Sequence, residues 1–101
     1  MILRTLPEGM AATSVLVESI TARLAAAHAA AAPLITAVVP PAIDTVSIAA
    51  AAELSASGAQ RQTSGATGVA ELGGSSLAVA DSGLSYQEGD LAAAATYALE
   101  I

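Results

Sequence analysis

Alanine supplies half of the hydrophobic content of this chain. It accounts for 27 of the 101 residues, while 54% of all residues are hydrophobic and Phe, Trp, Cys and Lys are absent. Alanine favours helices more than any other residue, but it fills a core poorly, whereas aromatic side chains each bury about 150–250 Å². The composition therefore predicts long helices with too few large apolar side chains to pack them against each other. We expect a single domain that is completed by a partner.

The charge balance argues against several classes of partner. Nine acids and three arginines give a net charge of −6, whereas nucleic acids and anionic membrane surfaces attract clustered cations. The longest uncharged run, 24–43, has the length of a membrane span, but Pro33, Pro40 and Pro41 fall within it. A cleaved signal peptide also fits poorly, because residues 1–9 have no basic region followed by an apolar block.

A first helix is predicted over about 6–38. Thr5 is its expected N-cap, since Thr5 and Glu8 have the spacing of a capping box, and Pro7 is tolerated in a first turn. Two heptad rows then form one mostly apolar stripe. One row is Met10, Val17, Leu24, Ala31 and Val38, and the other is Leu6, Thr13, Ile20, Ala27 and Leu34.

Apolar residues outside this stripe indicate a second apolar surface on the first helix. Val15, Leu16 and Ile35 lie off the two rows. A helix that packs against one neighbour needs a single apolar stripe. The first helix is therefore expected to contact more than one other helix.

A second helix is predicted over about 45–84, followed by a tail over 85–101. Two consecutive prolines end the first helix, and Asp44 has the position of an N-cap. Glycine costs about 1 kcal/mol relative to alanine inside a helix, so the glycines predict close approach of another helix, or alternatively a break around 65–68. The expected stripe is Ala51, Leu54, Gly58, Gly65, Val69, Leu72, Ser76 and Val79.

These elements predict an all-α, antiparallel two-helix hairpin. Two such helices cannot cover each other's apolar faces, whereas a four-helix arrangement can. Catalytic patterns are nearly absent: His28 is the single histidine, and no two acids form an evident general acid/base pair. We therefore expect no enzyme activity, no metal, no cofactor and no small-molecule substrate, with His28 facing solvent or an interface.

One polar pair stands out near the end of the chain. Tyr86 and Asp90 are four residues apart, a spacing that puts both on one face of a helix. The pattern alone is weak. By itself it favours a tyrosine that caps the hairpin beside a solvated aspartate.

Taken together, these segments resemble the mycobacterial PE family. The resemblance covers essentially the whole chain and rests on Pro7-Glu8, the alanine-rich first helix, the turn over 38–47, and Tyr86 with Asp90. Within the family, the segments 24–28, 33–41 and 92–97 look most like the member encoded with the ESX type VII secretion system that is linked to iron and zinc acquisition. The turn has Thr45 where many relatives have a second acid.

The resemblance implies a heterodimer with a PPE protein in a four-helix bundle, exported folded by an ESX system to the surface or the medium. A chaperone would bind the PPE subunit, and the secretion ATPase complex would read Tyr86 and Asp90 as the signal. The expected partner interface comprises Leu6, Met10, Val17, Ile20, Leu24, Leu34, Val38, Leu54, Gly58, Gly65, Val69, Leu72 and Val79.

Two other classes of function remain open from the sequence. One is a self-associating helical homodimer that builds its own four-helix bundle without a secretion role. The other is a membrane-interacting hairpin, which the prolines and the Gly/Ser positions of the second helix disfavour.

Overall fold

The computed structural model describes residues 4–99, which form two long helices joined by a loop. Helix α1 covers Pro7–Thr36 and helix α2 covers Thr45–Leu99. No strand occurs in the described range. The predicted all-α class is confirmed; the two ends of the chain, 1–3 and 100–101, lie outside the described residues.

The helices pack in two compact units. One unit combines Met1–Ile20 with Leu72–Ile101, and the other is Thr21–Glu71. In the first unit Met10 lies opposite Gly83, and Ser14 contacts Ser76. In the second unit, contacts pair residue 28 with 62, 35 with 58 and 38 with 55. Within each unit the partner's number falls as the residue number rises, so the helices are antiparallel, as predicted.

Burial identifies the face of α1 that meets α2. The Leu6 row is exposed at its large members: Leu6 by 66%, Ile20 by 47% and Leu34 by 77%. The neighbouring heptad row, which contains Pro7, Ser14 and Thr21 and is less apolar, faces α2 instead. The buried and half-buried positions of α1 are mainly Pro7, Met10, Ser14, Val17, Thr21, His28, Ala31 and Ile35, and Val38 is half-buried just after the helix.

The most buried contact between the helices is polar. Ser14 and Ser76 are 7% and 4% exposed. The Ser14 hydroxyl donates to the Ser76 carbonyl at 2.8 Å, and the Ser76 hydroxyl donates to the Ser14 carbonyl at 3.0 Å. Each hydroxyl thus reaches the other helix's backbone, which requires the two backbones to lie close and fixes their register.

Glycine permits this close approach at two further positions. A Cβ built on Gly58 would lie 2.6 Å from the carbonyl carbon of Ile35, and one on Gly65 would lie 2.5–3.0 Å from ring atoms of His28. Real Cβ atoms do not occur at such distances. The predicted role of these glycines is confirmed within the hairpin, and the alternative of a break around 65–68 is wrong, because α2 is continuous there.

The helix starts agree with the sequence at α2 but not at α1. Asp44 caps α2 as predicted: its carboxylate accepts from the Ser47 amide and hydroxyl, each at 2.8 Å. At α1 the Met10 amide donates to the Leu6 carbonyl at 3.0 Å, which makes Leu6 the N-cap position. The prediction of Thr5 was wrong because Pro7, with its fixed φ, takes the first helical position.

The helix ends differ from the predicted ones for identifiable reasons. Helix α1 stops at Thr36 rather than near residue 38, since the Val38 amide donates to the Ser55 hydroxyl at 2.9 Å. Helix α2 runs to Leu99, so the tail predicted from residue 85 is wrong over the described residues. The alanines at 92–95 favour helix, and the single Gly89 costs too little to end it.

Helix α1 is also long and apolar enough to cross a membrane by length and composition. Its most apolar window has a mean hydropathy of 1.2, and 6% of that window is buried. Length and composition are weak evidence for a membrane span, because the core helices of soluble proteins have the same properties. It does show that α1 carries apolar surface that α2 does not cover.

Substituting the glycines by alanine tests the close approach. We expect Gly58→Ala to lower the free energy of unfolding by about 1–3 kcal/mol, because its Cβ would overlap the Ile35 carbonyl. Gly68→Ala is the matched control: nothing lies within 4 Å of its Cβ, so it should raise stability by about 0.5–1 kcal/mol. Thermal unfolding of the folded chain, alone or in a purified complex, measures both, and stabilisation by both substitutions would contradict the close approach.

The Asp44 cap predicts a pH dependence. Hydrogen bonds from the Ser47 amide, and secondarily its hydroxyl, hold the pKa of the Asp44 carboxyl below its ordinary value. A lowered pKa in the folded state gives stability that is present above the unfolded pKa and lost as pH falls through the folded pKa. We therefore expect the difference in melting temperature between wild type and Asp44→Asn to shrink on acidification. A constant difference from neutral to acidic pH would refute this.

Candidate interaction surface and polar pair

An open groove of about 760 Å³ lies between the helices of the Thr21–Glu71 unit. Small residues alternate along the groove with bulkier aliphatic ones. The small residues are Ala27, Ala31, Ser57 and Gly58. Its lining is Leu24, Ala27, His28, Ala31, Leu34, Ile35, Val38, Leu54, Ser57, Gly58, Arg61 and Gln62. A groove of this composition fits a helix that places apolar side chains into it.

The walls of the groove are leucines that the hairpin leaves uncovered. Leu24 is exposed by 39%, Leu34 by 77% and Leu54 by 59%. All three belong to the interface expected from the sequence. In contrast, Gly58 and Gly65 of that predicted interface contact α1 of the same chain, so their first role is inside the hairpin.

The other members of the predicted interface divide in the same way. Leu6 and Ile20 are exposed. The remaining members are half-buried in the seam between the two helices: Met10, Val17, Val38, Val69, Leu72 and Val79. Of the residues predicted to form a second apolar surface, Val15 and Leu16 are exposed by 63% and 65%. The prediction is wrong for Ile35, which is half-buried against Gly58.

Tyr86 and Asp90 lie on one face of α2, in continuous helix. Tyr86 is 48% exposed and Asp90 is exposed. Within residues 4–99 neither side chain forms a hydrogen bond. Tyr86 borders a shallow cleft with Asp81, Ser82 and Ser85. The tyrosine is thus accessible, with an exposed carboxylate one turn further along the helix.

The Pro7-Glu8 pair lies beside the same part of α2. Pro7, Glu8, Leu6 and Ala11 line a cleft together with Gln87, the residue that follows Tyr86. The Pro7 carbonyl also lies 3.5 Å from the position of a Cβ on Gly83. The start of α1 therefore lies at the level of Gly83 and Gln87, in the part of α2 that also contains Tyr86.

The single histidine of the sequence packs against α2. His28 is half-buried against Gly65, and its backbone carbonyl accepts a hydrogen bond from the side-chain Nε2 of Gln62 at 3.2 Å. It therefore belongs to the helix seam rather than to solvent. Among residues 4–99 no group of three or more potential metal ligands comes together.

The sequence interpretation missed Ser14 as a central residue. Its signal was present: Ser14 is seven residues from Pro7 and from Thr21, in the heptad row next to the more apolar one. The polar residues in that row predict a face turned to solvent, because polar side chains are usually exposed. Here serine faces inward, since it is small and its hydroxyl finds a carbonyl on the opposite helix.

Comparison with known proteins places this architecture in a family. The chain is 60% identical over 97 residues to PE family immunomodulator PE5 of Mycobacterium tuberculosis, covering 96% of this chain and 95% of the relative. It is 54% identical over 97 residues to PE family immunomodulator PE15 of the same species, with the same coverage. The sequence model of the PE family matches residues 3–95. This chain belongs to the PE family.

Proposed function

We propose that this protein is a non-enzymatic subunit that pairs obligately with a PPE protein. The observation that carries the proposal is the distribution of bulk in the hairpin. In residues 4–99 the one buried hydrophobic residue is Ala51, and no large side chain is fully buried. Because apolar burial is the main source of folding stability, a hairpin of this kind needs another apolar surface.

The uncovered surface has the form that a helical partner needs. Leu6, Ile20 and Leu34 recur along one face of α1, at heptad positions that α2 leaves exposed. The groove between the helices adds Leu24 and Leu54. A PPE helix pair that packs here would complete a four-helix bundle and bury these side chains.

We further propose that Tyr86 and Asp90 form the export signal of the assembled pair. Both are accessible on an ordered helix, four residues apart, as a docking motif on a helix face requires. The reader would be the ATPase complex of an ESX type VII system, with a chaperone bound to the PPE subunit. Sequence resemblance favours the system linked to iron and zinc acquisition.

Export would bring the pair to the cell surface or the surrounding medium. The names of the two relatives describe them as immunomodulators, a role that export would allow. The same names describe no catalytic activity. A role in the interaction with a host is therefore part of the proposal.

Expression with and without a PPE protein tests the pairing. Expressed alone, the chain should be insoluble or poorly folded; expressed with its cognate PPE protein, it should purify as a 1:1 complex. Light scattering measures the mass, and circular dichroism the helix content. A monodisperse monomer that melts cooperatively would count against the proposal. A stable homodimer would favour self-association, and binding in a liposome flotation assay would favour a membrane role.

Secretion tests the signal separately from the pairing. We expect Tyr86→Ala and Asp90→Ala each to abolish export while leaving the complex with the PPE protein intact, because both side chains are exposed and make no hydrogen bond within residues 4–99. Tyr97→Ala is the matched control, since Tyr97 is exposed by 69% and has Ile101 rather than an acid four residues on. Unchanged amounts of either signal variant in the culture filtrate would disprove the assignment.

A further inference from the structure

The groove of the Thr21–Glu71 unit contains one cation. Arg61 lines it together with Leu24, Leu34 and Leu54. Within residues 4–99 the Arg61 guanidinium forms no hydrogen bond or ion pair. The acids nearest to it along α2 are Glu53 and Glu71, both more than two helical turns away. Its charge is therefore hydrated by solvent in the chain as described.

Arg61 lies along the groove rather than beyond its end. Contacts pair Gly58 with Ile35 and Gly65 with His28, so Arg61 lies at a level between these two pairs. Leu54 precedes the first pair on α2, and Leu24 lies beyond the second on α1. A helix that covers both leucines must therefore pass the level of Arg61.

Arg61 is exposed in the hairpin, and a helix packed over the groove would cover the part of its side chain that lines it. Removing water from an arginine side chain that has no acceptor costs several kcal/mol of binding free energy. A carboxylate that accepts bidentate hydrogen bonds from the guanidinium compensates for the lost hydration. Leucine walls alone would accept any apolar helix. The guanidinium restricts the choice to a helix that has an acid at the matching position.

We propose that Arg61 selects the partner: the occupant of this groove is a partner helix that carries an Asp or Glu side chain facing the Arg61 guanidinium, between its apolar contacts to Leu54 and Leu24. The inference rests on the proposed pairing with a PPE protein and adds to it a criterion for which PPE protein binds. Charge complementarity is the basis for this occupant, because an entirely apolar helix would leave Arg61 unpaired.

Competition for a limiting partner measures the effect without isolating the free chain. Wild type and a variant with different tags are co-expressed with less of the PPE protein that co-purifies with the chain from its native host. Mass spectrometry then gives the ratio of the two chains in the complex, normalised to their total amounts. Arg61→Glu should be under-represented at least about thirtyfold, and Arg61→Met about tenfold.

Two controls separate the ion pair from general effects. Arg23→Glu makes the same charge change on an arginine outside the groove, and it should stay within about threefold of wild type. Arg61→Met keeps the length and apolar stem of the side chain, so it discriminates between an acidic and an apolar partner. Incorporation of Arg61→Met equal to or above that of wild type would overturn the inference.

Charge reversal on the partner identifies the acid. Replacing the acids of the partner one at a time by Lys should include one change that restores incorporation of Arg61→Glu and weakens that of wild type. Failure of every reversal would overturn the role of Arg61 while leaving the pairing intact. Failure of the wild-type chain to recover any PPE protein, or its recovery with a second copy of itself, would instead refute the proposed function and this inference with it.

Discussion

The close contact of two helix backbones through small side chains underlies the other features of this structure. At Ser14 and Ser76 each hydroxyl donates to the opposite backbone, and at Gly58 the Ile35 carbonyl occupies the space of a missing Cβ. Such contacts fix register but bury little apolar area. Most of the leucines and isoleucines that would normally fill a core therefore stay exposed on the hairpin.

Much of this arrangement was predictable from the sequence, because it depends on local signals. The prolines at 40 and 41 locate the loop, Asp44 caps α2 as its spacing with Ser47 indicates, and the heptad rows give two antiparallel helices. The inward-facing residues of α1 were predictable only in part. Met10, Val17 and Ala31 belong to the predicted stripe and are half-buried. The Leu6 row is exposed instead, and Ser14 is turned inward by a hydrogen bond to a residue 62 positions away.

The candidate site was also predictable only in part. The spacing of Tyr86 and Asp90 places both residues on one face of a helix, whatever surrounds that helix. The predicted tail after residue 84 was wrong, because the cost of Gly89 inside a helix is small and the alanines that follow it outweigh that cost. The cleft that joins Pro7 and Glu8 to Gln87 depends on how the two helices pack, and no local pattern contains that information.

The unbroken course of α2 gives the polar pair a fixed angular phase. Gly83 is buried against α1, and Tyr86 follows it by three residues in the same helix. Each residue of an α-helix turns the chain by about 100°. One residue gained or lost between these two positions would therefore turn the tyrosine by about 100° relative to the face of α2 that packs on α1.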